Sequence, residues 1–288
     1  MKAIVTGGAG FIGSHIAERL LKDGHEVVIL DDFSSGKTAN VPQGATVRQV
    51  DISDWNELSL VEWDFSDCDV IFHNAASKKN ICLRDPVRDL EVNGGGTLML
   101  LQLAQIHNIK KFVHASTGSV YGNVIGRIAE DTPTNPVSYY GISKLAGENY
   151  VRHYCSLNTT ILRYFHVYGS RQEDDPELGG VVAIFKKKIL ESRPITIHGS
   201  GDQVRVFTHV DDIVEANMQS WHQEKAQGKI YNCASNKRTT IGELADNLMR
   251  KYGDVERMYA EALEGDIFYF DVDATRIEEL GVTFKDFI

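Results

Sequence analysis

The chain has 288 residues, with 30 Lys plus Arg against 40 Asp plus Glu (net −10), 42% hydrophobic residues and 24% charged. Those fractions are globular rather than disordered, and the acidic balance excludes a protein built to wrap nucleic acid or to lie on an anionic membrane. No apolar run approaches the roughly 18 residues of a bilayer span, and Met1 leads within a few residues into a strand-like run, so neither a leader nor an anchor is expected and the location is cytoplasmic. In chain order, Ala3–Val5, Glu26–Leu30, Thr46–Val50, Val70–His73, Lys111–Ala115 and Thr159–Leu162 are short, mostly apolar runs that predict buried strands. Helix-period segments alternate with them at Ile12–Lys22, Asn56–Val61, Leu90–Ile106 and Tyr140–Tyr154. Such alternation predicts an α/β fold with a doubly wound parallel sheet, covered by helices on both faces and binding ligands at the carboxyl ends of its strands.

Beyond residue 165 the regularity weakens. Val181–Glu191 reads as a helix and Ile195–Ile197 as a strand. Asp211 or Asp212 is expected to cap a helix running to Gln223, and Thr240 one running to Lys251. The pattern predicts a smaller, partly interleaved substrate domain (166–205 and 236–288) beside a nucleotide domain (1–165, with 206–235 returning to it). Cys68, Cys82, Cys155 and Cys233 lie far apart without CxxC spacing, which predicts reduced thiols and no metal site. His73 and His114 are expected to face the core.

Two motifs carry chemistry. Thr6-Gly7-Gly8-Ala9-Gly10-Phe11-Ile12-Gly13 falls between the first strand and the first helix. Glycines there allow a tight turn and close backbone approach, so amides and a helix N-terminus can hold a pyrophosphate; ordinary turns use glycine too, and only the context favours binding. Asp31, 18 residues after Gly13, stands where a carboxylate accepts from the adenosine ribose, with Asp32 the alternative. A carboxylate there repels a 2′-phosphate and favours NAD. The second motif is Tyr140 and Lys144, four apart and hence on one helix face. A nearby ammonium stabilises a phenolate and lowers a Tyr pKa from about 10 toward neutrality, as a general acid–base needs. Upstream, Ser116-Thr117-Gly118-Ser119 ends the fifth strand with a hydroxyl cluster, which a plain polar turn would also explain.

The glycine turn, Asp31, His73-Asn74-Ala75-Ala76, Asn93, Ser116-Thr117, Tyr140-Gly141-Ile142-Ser143-Lys144 and Arg163-Tyr164-Phe165-His166-Val167-Tyr168-Gly169 occur in that order. The set resembles the extended short-chain dehydrogenase/reductases, in their NAD-dependent nucleotide-sugar epimerase/dehydratase branch. The resemblance implies a Rossmann-like nucleotide domain, a homodimer paired through two long helices, and NAD as cofactor. It implies Tyr140 as the acid–base, Lys144 as holder of the nicotinamide ribose, and Thr117 on the reacting oxygen. Gly7, Gly10, Phe11, Ile12 and Gly13 would line the pyrophosphate, with Asp31, Asp32, Asp51, Ile52, Ala75, Asn93 and Tyr164 along the rest of the cofactor. Ser119, His166 and Arg205 would contact the substrate, a nucleotide sugar of UDP type.

Several positions depart from the branch's pattern: His166 replaces an Asn, Val206 an Asp, and Leu263 an Arg before Glu264-Gly265-Asp266. The branch's last helix has no counterpart in the sequence as given. Dehydratases and decarboxylases of the branch place an acid within two residues after the Thr, whereas Gly118 and Ser119 stand here. That difference implies C4 epimerisation of a UDP-hexose through a 4-keto sugar. The alternatives are 4,6-dehydration, decarboxylation, reduction, or NAD sensing without turnover.

Overall fold

The computed structural model describes residues 1–77, 79–175, 179–262 and 268–285. In chain order its first half contains β1 (Lys2–Thr6), α1 (Phe11–Lys22), β2 (Glu26–Asp31), β3 (Thr46–Gln49), α2 (Trp55–Leu60), β4 (Val70–His73), α3 (Pro86–Leu90), α4 (Thr97–Ile106) and β5 (Lys111–Thr117). The second half contains α5 (Tyr139–His153), β6 (Thr159–Tyr164), α6 (Val181–Leu190), β7 (Ile195–His198), β8 (Val204–Val206), α7 (Val210–His222), β9 (Lys229–Cys233), α8 (Ile241–Tyr252) and β10 (Arg257–Ala260).

Seven strands form one sheet in the order β9-β6-β5-β4-β1-β2-β3, all parallel. The order reverses between β1 and β4, which opens a crevice at their carboxyl ends. Successive residues of a strand point to opposite faces, and β1 shows the consequence. Ala3 and Val5 pack with Ile16 and Leu20 of α1 and Ile213 of α7, while Ile4 packs with Leu58, Leu100 and Val151 on the other side. A third cluster gathers Phe185, Ile189, Ile195, Ile197 and Leu244 around α6, β7 and α8; β7 there pairs in parallel with β10. Among the described residues no helix is long and apolar enough to cross a membrane.

The sequence expectations fail at three places. The strand Lys229–Cys233 was hidden by a polar interior residue: Asn232 is fully buried and accepts from the Tyr121 hydroxyl at 2.7 Å. The cap of α7 is not Asp211 or Asp212 but His209, whose Nδ1 accepts from the Asp211 amide at 3.3 Å. Asp212 instead accepts from the Lys285 amide at 3.0 Å. The helix expected over Leu90–Ile106 starts earlier, at Pro86 behind an Asp85 cap, and passes through a π-helical segment, Glu91–Gly96. Pro at the first helical position behind a capping Asp was a readable start signal. Thr240, by contrast, caps α8 as expected, in a capping box with Glu243.

Helix α5 is fixed to the sheet by charge. Arg163 of β6 meets Glu148 of α5 through Nη2–Oε2 at 2.7 Å and Nε–Oε1 at 2.9 Å, with the two side chains 3% and 1% exposed. Ser116 of β5 donates to the same carboxylate at 2.5 Å, and the Arg163 guanidinium lies 4.6 Å from the Tyr121 ring centre. Removing one partner of a buried pair strands the other charge, at about 3–5 kcal/mol. Arg163→Leu is therefore expected to lower the unfolding free energy in urea by that amount, with much of it recovered when Glu148→Met is added. A loss below about 1 kcal/mol would mean the pair is far more hydrated than the structure shows.

Candidate active site

The crevice between β1 and β4 is lined by both loops that leave those strands. Gly7 adopts φ +69°, and a Cβ there would lie 2.7 Å from the Ala75 nitrogen; a Cβ at Gly13 would lie 2.2 Å from the Gly7 carbonyl oxygen. These are backbone contacts that no rotamer change relieves, so the turn requires glycine at both positions. It delivers the chain to α1, whose N-cap, Gly10, offers no side chain to the first-turn amides, and no acidic residue lies in that turn. Unsatisfied amides and the positive end of the helix dipole thus face the crevice, the arrangement an anionic diphosphate fits.

Asp31 ends β2 and is almost fully buried. Its Oδ2 accepts from the Ala9 amide and its Oδ1 from the Phe33 amide, both at 2.9 Å. Burial pushes its pKa above the ordinary value, and the two amides oppose the shift. The carboxylate therefore ties the glycine turn to the loop after β2 while lining the crevice beside Asp32. Asp51 and Ile52 line the same end, with Gly10, Phe11, Ile12, Ala75 and Tyr164 further along.

At the other end, Tyr140 and Lys144 project from α5 into the crevice, and the Thr117 hydroxyl at the end of β5 hydrogen-bonds the Tyr140 phenol. The expected depression of the phenol pKa is not found. Burial pushes Tyr140 up to about 12, with the charges of Asp89 and Cys82 adding to the rise and the Thr117 bond opposing it. Lys144 is held down at about 8 by burial, against the pull of Glu148 and Asp89. Desolvation of the charged form is the first cause at both groups, acting on the phenol and on the amine alike.

One expected cofactor residue stands elsewhere. Asn93 does not line the crevice. It is fully buried in the π-helical segment, accepting from the Ser77 amide at 3.0 Å and donating to Ser143 at 2.9 Å and Asp89 at 3.0 Å. It braces the loop after β4 against α5 from beneath. Ser119, His166 and Arg205 also lie outside that wall. Ser119 accepts from the Thr117 hydroxyl at 3.3 Å. The His166 ring lies 5.0 Å from that of Phe270, and the Arg205 guanidinium lies 5.6 Å from the same ring, so these two residues are gathered around one aromatic. His166 holds φ +37°, and Val206 is part of the core. Leu263 and Glu264-Gly265-Asp266 lie outside the described residues. The sequence reading missed Asn74, Ser77 and Arg88, which also line the crevice; Arg88 was legible only as the third residue of a helix begun by Asp85-Pro86.

The chain matches the NAD dependent epimerase/dehydratase family over residues 3–234. It belongs to that family. Its fold is that of a UDP-glucose 4-epimerase from Thermotoga maritima solved with UDP-glucose, at TM-score 0.93 and 34% identity, covering 99% of this chain and 94% of the other. A UDP-glucose 4-epimerase of Thermus thermophilus, solved with NAD, gives TM-score 0.92 and 34% identity over 100% and 95% of the two chains. The family's chemistry is broader than epimerisation. A UDP-N-acetyl-alpha-D-glucosaminuronate decarboxylase from Bacillus cytotoxicus is 35% identical over 86% of this chain and 79% of its own length. NAD is the cofactor of the family, and the uncapped helix with its glycine turn suits that dinucleotide. Because a methyl at Gly13 meets the Gly7 carbonyl, Gly13→Ala is expected to weaken NAD binding at least about tenfold in a calorimetric titration. Unchanged affinity would place the pyrophosphate elsewhere.

Proposed function

We propose that this family member epimerises a nucleotide-linked hexose at C4, with a UDP-hexose as substrate. The observation that carries this reading is the packing after Thr117. A Cβ at Gly118 would lie 2.3 Å from Cε1 of Phe165, a buried ring, so no carboxylate side chain fits there without moving the core. Ser119 follows, and neither residue can act as a general acid near pH 7. Elimination and decarboxylation are thereby disfavoured, while epimerisation needs no third acid.

In this reading residues 1–165 and 206–235 hold NAD, and residues 166–205 and 236–288 hold the nucleotide sugar. NAD, when bound, supplies the hydride acceptor and donor. Tyr140 takes the proton of the C4 hydroxyl and later returns it, and Thr117 hydrogen-bonds the same oxygen. Lys144, by keeping its proton, favours the phenolate as it forms. Arg205 and His166 grip the diphosphate while the flat 4-keto sugar turns over; a guanidinium suits phosphate oxygens because its fork is planar. Incubation with UDP-glucose, UDP-N-acetylglucosamine and UDP-glucuronate, with products resolved by NMR, is expected to give an isomer of unchanged mass from at least one. A product lighter by water or carbon dioxide would reject the reading. Tyr140→Phe is expected to cut turnover by about 10²–10⁴-fold while NAD affinity stays within a few-fold; undiminished turnover would remove Tyr140 from the mechanism.

We also infer a homodimer. Val87 and Leu90 of α3 are 65% and 52% exposed, and Tyr139 and Ile142 of α5 are 55% and 52% exposed, on helices that pack side by side. An apolar patch of this kind fits a second copy of the chain. Light scattering is expected to give a dimer for the parent and a monomer for Ile142→Glu. A monomeric parent at micromolar concentration would overturn the assignment.

A further inference from the structure

Arg88 takes no part in the chemistry proposed above, yet its side chain is held from three directions at the adenosine end of the crevice. Its backbone is set by α3, where Asp85 caps the Arg88 amide at 3.0 Å and Pro86 opens the helix. Its guanidinium reaches Asp51 Oδ2 at 2.6 Å and Asp32 Oδ2 at 3.5 Å, and also bonds the Ser53 hydroxyl. Asp32 follows β2 and Asp51 follows β3, so one side chain ties two strand ends to a helix. Asp51 is itself braced by the Ser53 amide at 2.9 Å and the Ser53 hydroxyl at 2.7 Å. Arg88 lines the crevice together with Val50, Ile52 and Val92. An apolar slot closed by a planar cation suits the face of a purine.

The same contacts bear on cofactor choice. A guanidinium whose Nη2 is shared by two carboxylates has its charge offset on that side, and Asp31 and Asp32 present only acceptors beside it. We propose that Arg88 is a specificity-determining residue for the adenosine half of the cofactor: it closes the purine slot and, while Asp32 and Asp51 hold it, does not serve a 2′-phosphate.

Binding measured by calorimetry on the intact chain tests both halves, with NAD, AMP, 2′,5′-ADP and nicotinamide mononucleotide as probes. Arg88→Leu is expected to weaken NAD and AMP by about tenfold each and to leave nicotinamide mononucleotide unchanged. Arg88→Lys, which keeps the charge and loses the fork, is expected to fall between, and stands in for the leucine variant if that fails to fold. Asp51→Asn, by freeing the guanidinium from its nearer carboxylate, is expected to raise the affinity for 2′,5′-ADP relative to AMP by about tenfold, and the gain is expected to vanish in Asp51→Asn/Arg88→Leu. AMP affinity within twofold of the parent in the Arg88 variants would overturn the slot. A 2′-phosphate gain that survives in the double variant would overturn the withholding. The readout is binding, so failure to epimerise any sugar would leave these results legible, and failure here would leave the epimerase reading standing.

Discussion

The Glu148–Arg163 pair is the contact on which the arrangement of the reactive groups depends. Tyr140, Lys144 and Glu148 recur every four residues along one helix face, so fixing Glu148 fixes the azimuth of the other two. The carboxylate is held by Arg163 from β6 and by Ser116 from β5. Ser116 is the immediate neighbour of Thr117, and the strand register sets Thr117 opposite Tyr164. One buried ion pair therefore positions the helix that carries Tyr140 and Lys144 and the strand ends beside it. A buried pair of this sort contributes little net stability over an apolar isostere. What it supplies here is register, because two fork-shaped bonds fix both distance and rotation in a way that packed methyl groups do not.

The same wall shows how neutral groups are made to coexist. His73 lies fully buried with its ring nitrogens against Thr6 Oγ1 at 2.8 Å and Thr97 Oγ1 at 2.9 Å. Burial, with the Lys144 charge adding to it, keeps this ring and that of His114 well below the ordinary histidine range. Thr97 in turn donates to the Asn93 carbonyl at 2.7 Å, inside the π-helical segment whose side chain braces Ser77 and Ser143. The bulge thus feeds polar groups into the space between the sheet and α5, which a regular α-helix of the same residues would present one position out of phase.

How much of this was legible follows from what kind of constraint each residue answers. The parallel strands were readable because burial on both faces demands continuous apolar runs; Asn232 broke that rule and concealed β9. The phosphate turn was readable because clashes of backbone with backbone at Gly7 and Gly13 leave a compositional mark. The position of Tyr140 and Lys144 was readable from helical spacing, whereas their titration was not. Spacing reports proximity, and the balance between attraction and desolvation depends on how completely the fold covers both groups. The His209 cap stands two residues before Asp211, the nearer of the two expected caps, and Asn93 and Arg88 answer to partners distant in sequence. No local pattern reports such contacts.

That balance has a consequence for how the site works. In the protein alone, burial favours the uncharged form of both the phenol and the amine, with Tyr140 up at about 12 and Lys144 down at about 8. Desolvation acts against charge on the phenol and on the amine alike. Asp89 works against the phenolate from α3 and for the ammonium of Lys144, so the two halves of the pair are biased in opposite senses by one carboxylate. In the proposed mechanism the rigid attachment of α5 holds Tyr140 and Lys144 in place ahead of the substrate.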